Sequence, residues 1–324
     1  MNLTISIAIY NGSPYIKRCL ESIIKAYSNV DNSNFKLTVL AINDGSKDNS
    51  LEILNDYSVY DYIEIIDKEN GGLSSVRNKS IELCDTDYLW MIDVDDELEE
   101  DSLKNLSALE LGEINVFNYR TFDSKGHFIT NNDCVQEELK TSLKKNKELL
   151  LQDTASWHFV FQTSFLKQQG IYFLTNKLYE DFNWNLKILK AASQIYTYKI
   201  SIYKYYLTDG SIMRNTNLDR RKEIFDVFND VLNDYRASFA FEDFKAELEY
   251  WGIHNLLYVN YMDVFRINPN AQLLEDYLSY LNDLFPYWGK NKYFKKISFS
   301  RRMLIYCIKY RLKFVLSLLT KVLR

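Results

Sequence analysis

The 324-residue chain has few of the residues that mark loops, disulfide scaffolds and metal clusters: 3 Pro, 10 Gly, 4 Cys and 3 His. So little proline and glycine excludes a collagen-like or low-complexity chain. The cysteines have no CxxC or zinc-ligand spacing, so we expect free thiols in a reducing cytoplasm. Met1–Asn–Leu–Thr4 lacks the basic start of a secretory signal, which also favours a cytoplasmic protein.

Acidic residues are missing from the end of the chain. Residues 287–324 contain 11 Lys or Arg and no Asp or Glu. Residues 1–286 carry 28 basic and 44 acidic groups, a balance of −16. An acidic body without aromatic–glycine motifs makes a nucleic-acid partner unexpected. The contrast between this acidic body and the basic tail instead predicts an anionic partner for the tail.

The basic tail, residues 290–324, alternates basic residues with large apolar ones. No stretch of it reaches the roughly 18–20 uncharged residues of a spanning helix. The pattern is typical of an amphipathic helix on an anionic membrane surface, here the inner face of the cell membrane. The alternative is that the apolar face packs on the preceding helical region or on a second copy in a homo-oligomer.

Strand and helix signals alternate through the first hundred residues. Apolar, strand-length runs occur at Leu3–Ile9, Leu37–Ile42, Tyr62–Ile66 and Tyr88–Ile92, with helical patterns between them. Repeated strand–helix units predict an α/β fold with a mostly parallel, Rossmann-like sheet and helices on both faces. In such sheets a ligand binds outside the carboxyl ends of the strands.

Three carboxylates follow the fourth run, in Asp93–Val–Asp–Asp96. Asp93 and Asp95 point to the same side of an extended backbone, and two close carboxylates repel unless a cation lies between them. Their hard oxygen atoms suit Mn²⁺ or Mg²⁺, which also binds phosphate oxygens. The alternative is a solvated acidic turn.

Two further turns follow predicted strands. Asn43–Asp–Gly–Ser46 could present a fixed carboxylate to the N–H of a nucleobase, or simply form a capped turn. Asn70–Gly–Gly–Leu–Ser–Ser–Val–Arg–Asn78 combines glycines with a helix start and Arg77, which suits a diphosphate. The alternative is a tight turn in which Arg77 pairs with an acidic residue. Neither a GxGxxG nor a GxxxxGK motif is present.

Tyr179–Glu–Asp–Phe182 places two carboxylates at a predicted helix start. They could serve the helix dipole, or Asp181 could be a general base for a sugar hydroxyl. The three histidines form no spaced metal motif. His158, beside Trp157, is the one candidate pocket residue among them, and both are candidates for the acceptor side.

Taken in order, these motifs resemble the family 2 glycosyltransferases of the bacterial surface-glycan type. The resemblance rests on Ala8–Ile–Tyr–Asn11, Asn43–Asp–Gly–Ser46, Glu69–Asn78, Asp93–Val–Asp–Asp96 and Tyr179–Glu–Asp–Phe182. It is strong over residues 1–100 and fair over 155–215, where Ser156–Trp157 and Tyr203–Ser211 are similar to acceptor-side segments. Family members are inverting, metal-dependent enzymes of the GT-A fold that use nucleotide sugars.

The resemblance implies a role for each matching position. Asp44 would hold a uracil-like base, Arg77 the nucleotide or its diphosphate, and Asp95 the metal ion, with Asp93 on the ribose or metal side. Asp181 would be the base, with Glu180 beside it. The full nucleotide-sugar set would be Ile9, Tyr10, Asn11, Asp44, Gly72, Arg77, Asp93 and Val94.

The expected function is transfer of a hexose or N-acetylhexosamine from a UDP-sugar to a glycan acceptor. That acceptor would be a lipid-linked oligosaccharide of a surface polysaccharide or a glycoprotein. The alternative is a non-catalytic, nucleotide-sugar-binding partner subunit of a glycosylation complex. The expected domains are a GT-A domain over 1–215, with nucleotide-sugar half 1–100 and acceptor half 101–215, and a helical region over 216–324.

Overall fold

The computed structural model describes residues 1–31, 33–153, 155–208 and 217–322, without the side chains of 320–322. The chain forms two compact units. One comprises the described residues of Met1–Asn146 and Asp153–Met213, and the other those of Lys147–Gln152 and Arg214–Arg324. The domain boundary expected between residues 215 and 216, and the end of the segment Tyr203–Ser211, lie outside the described residues.

A mixed, mostly parallel sheet forms the centre of the first unit. Its strands are β1 (Asn2–Ile9), β2 (Lys36–Asp44), β3 (Ile63–Lys68), β4 (Tyr88–Asp93), β5 (Glu97–Leu98), β6 (Ile114–Asp123), β7 (Phe128–Asn132), β8 (Leu139–Thr141), β9 (Phe159–Gln162) and β10 (Ile195–Leu207). The main order is β3-β2-β1-β4-β9-β6-β10-β5, with β7 beside β6 and β8 beside β10.

Parallel pairing dominates the first half of this sheet. Strands β3, β2, β1 and β4 are parallel neighbours, and β6 and β10 form a second parallel pair. Strand β9 joins the two groups through antiparallel pairing with β4 and β6. Residues 3–7 of β1 are all buried, because helices cover both faces of the parallel part.

The helices of this unit connect the strands as the sequence predicts. They are α1 (Ser13–Ser28), α2 (Ser50–Asn55), α3 (Leu73–Leu83), α4 (Ser102–Ser107), α5 (Thr163–Gln169) and α6 (Glu180–Ala191). Helix α1 packs a stripe that includes Ile16, Leu20 and Ile23 into the core. A single 3₁₀ turn, Ser156–His158, precedes β9.

The second unit is helical. It contains α7 (Leu218–Arg221), α8 (Glu223–Ala237), α9 (Phe241–Gly252), α10 (Tyr261–Ile267), α11 (Gln272–Leu284), α12 (Phe299–Lys309) and α13 (Lys313–Val322). A π-helical stretch, Ile253–Asn260, joins α9 to α10, and 3₁₀ turns occupy Lys147–Leu151 and Trp288–Lys290. Large aromatic side chains such as Phe228, Trp288 and Phe294 fill its core. Within the described residues, every helix is too short or too polar to cross a bilayer.

Candidate active site

The carboxyl ends of three parallel strands meet at one edge of the sheet. The register pairs Ile9 at the end of β1 with Asn43 on β2, and Ala8 with Asp93 at the end of β4. The residues that follow these strands therefore become neighbours, as the sequence predicts. Tyr10 is half-exposed at this edge, whereas Ile9 is buried in the core beneath it.

Asn11 ties the first two loops together. It adopts a left-handed conformation with φ 49°, which asparagine tolerates better than most residues. Its amide donates to Ser46 Oγ at 2.9 Å, and its Oδ1 accepts from the amide of Lys47 at 2.7 Å. The loop after β1 is thus held against the loop after β2 before any ligand binds.

Asp44, at the end of β2, is buried and surrounded by donors. Its carboxylate accepts from the amides of Gly71 at 2.9 Å and Gly72 at 2.8 Å, and from Asn70 Nδ2 at 3.2 Å. Lys68 Nζ also donates to it. Gly72 has φ +80°, a conformation that favours glycine. The carboxylate is therefore fully engaged by Lys68 and by the loop after β3, and a nucleobase N–H would have to replace one of these donors.

Arg77 lies at the centre of the site. Its side chain is only 3% exposed, and its guanidinium donates to Asp181 Oδ1, to Glu180 Oε1 at 3.4 Å and to Asp93 Oδ1 at 3.2 Å. Burial alone would lower the pKa of Arg77, but Asp181, Asp93 and Glu180 together raise it above its ordinary value. One buried cation thus joins the end of β4 to the start of α6.

Two of the carboxylates around this cation have raised pKa values. Burial, opposed by Arg77 and reinforced by Asp95 and Asp181, raises the pKa of Asp93 to about 6. Burial and the neighbouring Asp181 carboxylate raise the pKa of Glu180 to about 7, against the effect of Arg77. One arginine does not neutralise this acidic cluster, and a further cation would be stabilised here.

Asp95 and Asp96 differ in environment although they are adjacent. Asp95 Oδ2 accepts from Thr208 Oγ1 at 2.7 Å, and the residue is partly exposed. Asp96 is fully buried and accepts from Tyr203 Oη at 2.8 Å and the amide of Tyr206 at 2.7 Å. Burial and the nearby Asp95 raise the pKa of Asp96. Asp96 therefore anchors β10, while Asp95 is accessible to a ligand.

The donor chemistry fits a divalent ion shared with a substrate. No group of three or more His, Cys, Asp or Glu side chains among the described residues has the geometry of a complete metal site. Mg²⁺ usually binds through one or two carboxylates plus substrate phosphates. Asp93 and Asp95 supply that number of hard oxygen ligands, and Asp95 contributes to the raised pKa of Asp93, as expected for neighbouring like charges.

The two candidate acceptor-side residues, Trp157 and His158, have different surroundings. Trp157 is stacked on Tyr203 and Tyr205, with ring centroids 4.7 and 5.2 Å apart. His158 is completely buried, with Nδ1 3.2 Å from the carbonyl oxygen of Phe117 and Nε2 3.0 Å from that of Asp153. This geometry gives no support to an acceptor contact through the His158 ring. Val94, a candidate of the nucleotide-sugar set, is partly exposed and packs against the core.

Two residues of the site, Lys68 and Asn185, lie outside every motif singled out above, whereas Ser156 and Thr208 lie in the acceptor-side segments. Lys68 donates to Asp44, Thr208 donates to Asp95, and Asn185 donates to Ser156, which in turn donates to Asp181. For Asn185 the sequence contained only a weak signal. Asn185 lies on the buried side of α6, one turn after Asp181, where an apolar residue is usual. A polar residue at such a position needs a partner.

Comparison with known proteins shows the family of this chain. The model of the family described as "Glycosyl transferase family 2" matches residues 4–169, just over half of the chain. The chain belongs to glycosyl transferase family 2. The family predicted from the motifs is therefore confirmed.

Two relatives come from Streptococcus pneumoniae. Glycosyltransferase GlyA is 28% identical over 65% of this chain and 31% of its own length. Glycosyltransferase GlyG is 25% identical over 76% of this chain and 89% of its own length. The chain thus spans about a third of GlyA but most of GlyG.

Among solved structures, TarS 1-349 of S. aureus in complex with UDP is similar with a TM-score of 0.71. The match covers 97% of this chain and 88% of that one at 16% identity. At that identity the likeness concerns the fold. The predicted α/β GT-A fold with a mostly helical C-terminal region is confirmed.

The raised pKa of Asp93 predicts that this carboxylate makes the fold less stable as the pH rises. With a pKa near 6 when folded and near 4 when unfolded, Asp93 contributes stability below pH 4 that is lost as the pH rises through 6. Asp93→Asn stays neutral, so we expect it to increase the free energy of unfolding by about 2 kcal/mol near pH 7.5 and by little near pH 4. Urea denaturation at both pH values measures this.

The matched control for that measurement is Asp61→Asn, which changes an exposed carboxylate outside the site. It should shift stability little at either pH. An Asp93→Asn gain that is equal at the two pH values, or a loss near pH 7.5, would contradict the assignment.

Proposed function

We propose that this chain is an inverting, metal-dependent glycosyltransferase that moves a hexose or N-acetylhexosamine from a UDP-sugar to a glycan acceptor. The observation that carries the proposal is the shared guanidinium of Arg77. The guanidinium forms ion pairs with both Asp93, on the donor side, and Asp181, the candidate base. Donor and acceptor chemistry would then meet at a single point of the sheet edge.

The donor would occupy the loops after β1, β2 and β3. Tyr10 and Asn11 would line the nucleotide pocket, and Asp44, with Gly72 beside it, would face the base. The UDP complex of the structurally similar TarS supports a UDP-sugar for this chain. Arg77 is enclosed by carboxylates, so its contribution to donor binding would be to position Asp93.

Asp93 and Asp95 would hold Mn²⁺ or Mg²⁺. When bound, the ion would supply positive charge that stabilises the leaving nucleoside diphosphate. The protein's own residues prepare this position, because Thr208 fixes one oxygen of Asp95 and Arg77 one oxygen of Asp93.

The base would be Asp181. As the acceptor hydroxyl attacks the anomeric carbon, its proton passes to Asp181, a C–O bond forms, and the bond to the diphosphate breaks with inversion. Glu180 shares Arg77 with Asp181, and its raised pKa favours a partly protonated form near neutral pH. That proton would limit repulsion between the two adjacent carboxyl groups.

The acceptor would be a lipid-linked oligosaccharide of a surface polysaccharide, or a glycoprotein. We propose that the protein reaches lipid-linked acceptors through the surface formed by α12 and α13. Large apolar side chains are exposed there: Phe299, Met303, Tyr310, Leu312, Phe314, Val315 and Leu318. Basic residues and no acidic ones accompany them, which favours an anionic bilayer over a neutral one.

Asp181→Asn tests the reaction itself. The amide cannot take the proton of the acceptor hydroxyl, so we expect sugar transfer to fall by at least about 100-fold while UDP binding is unchanged. Transfer is measured with labelled UDP-sugars and binding by calorimetry. Asp283→Asn, in the helical unit, is the control that should keep full transfer. Loss of UDP binding in Asp181→Asn, or retained transfer, would contradict the assignment.

Liposome flotation tests the membrane surface. We expect the full chain to float with vesicles that contain phosphatidylglycerol and to remain below pure phosphatidylcholine vesicles. Replacing Phe314 and Leu318 with Asp should abolish flotation, because the two side chains lie one turn apart on the same face of α13. Val59→Asp changes an exposed apolar residue of the first unit and should have no effect. Equal behaviour with both vesicle types would contradict the proposal.

A further inference from the structure

A buried serine contacts the candidate base. Ser156 begins the 3₁₀ turn before β9, and its side chain is fully buried. Its Oγ donates to Asp181 Oδ1 at 2.6 Å and accepts from Asn185 Nδ2 at 3.2 Å. Because the amide of Asn185 can only donate at that nitrogen, the hydroxyl proton of Ser156 is directed to Asp181.

This contact distinguishes the two oxygen atoms of Asp181. Oδ1 receives both Arg77 Nη1 and Ser156 Oγ, whereas Oδ2 receives no hydrogen bond within the described part of the chain. The Asp181 side chain remains 23% exposed. With Oδ1 occupied by two fixed donors, Oδ2 is the oxygen left to face an acceptor hydroxyl.

We propose that Ser156, oriented by Asn185, is a positioning residue that selects Oδ2 of Asp181 as the basic oxygen. The inference rests on the proposed role of Asp181 as the base. It adds a chain of three residues, Asn185, Ser156 and Asp181, in which α6 supplies both ends and the 3₁₀ turn supplies the middle. The chain fixes the carboxylate by a route independent of Arg77.

The charged and titratable groups that face Asp181 come from three elements. Arg77 on α3 and Asp93 on β4 share its centre, and Glu180 is its neighbour on α6. Ser156 and Arg77 are the two donors to Oδ1 of Asp181. Removing the Ser156 hydroxyl takes away one of them, so the carboxylate is held less firmly toward the acceptor hydroxyl.

Ser156→Ala tests the proposal because it deletes one oxygen atom and leaves the volume almost unchanged. We expect kcat to fall about 10- to 100-fold, the range for a lost hydrogen bond to a charged group, with the KM for the donor unchanged. Ser156→Thr keeps the hydroxyl and should recover part of the lost rate.

Two further variants distinguish a failure of the role proposed for Ser156 from a failure of the role proposed for Asp181. Ser102→Ala removes another fully buried serine hydroxyl, in α4 and outside the site, and should leave kcat and the donor KM unchanged. Adding Ser156→Ala to Asp181→Asn should cause no further loss, because the base is already absent. Full transfer by Asp181→Asn alone would overturn the base itself, and with it the proposed function.

Other outcomes bear on Ser156 alone. A normal kcat in Ser156→Ala, with Asp181→Asn inactive, would overturn the positioning role and leave the proposed function standing. A further loss when Ser156→Ala is added to Asp181→Asn would also overturn it, since Ser156 would then act on the fold and not through the base.

Discussion

The buried ion cluster of Arg77 is the interaction on which the site depends. Its guanidinium has little contact with solvent and binds carboxylates from two distant parts of the chain, Asp93 at the end of β4 and the pair at the start of α6. Removing the Arg77 guanidinium would leave these buried carboxylates without their shared cation, a change that costs several kcal/mol. The cluster therefore fixes α6 to the sheet edge and brings the acidic residues of the site together.

That arrangement places more negative charge at the edge than one arginine can balance. Burial, together with the neighbouring carboxylates, raises the pKa values of Asp93 and Glu180, so a further cation near them would be stabilised. Under the proposed function, a divalent ion bound with the donor would supply that cation. It would neutralise the charges that weaken the fold at neutral pH, as is common where function and stability conflict.

The sequence predicted the parallel part of the fold well because its strands are short apolar runs separated by helical patterns. The helical pattern between the third and fourth runs corresponds to α3, Leu73–Leu83. The same reasoning located Asp44, Asp93 and Asp181, since each follows or begins a recognisable element. It offered two interpretations for Arg77, and the pairing with acidic residues is the one that the structure contains.

Contacts between distant segments could not be predicted in the same way. Ser156 and Asp181 are 25 residues apart, and Asp95 and Thr208 are 113 apart. Neither pair has a periodic signal, because the contacts arise only when β9 and β10 take their places in the sheet. The burial of His158 also depends on long-range packing against β6, which no local pattern of the sequence encodes.

The most direct test of the account is release of UDP from a panel of UDP-sugars, with Mn²⁺ and with EDTA, by the wild type and Asp95→Ala. The account predicts metal-dependent release from at least one donor and its loss in the variant, because Asp95 is the accessible carboxylate beside Asp93. No release from any donor, together with no thermal shift by UDP, would contradict it and favour a non-catalytic partner subunit.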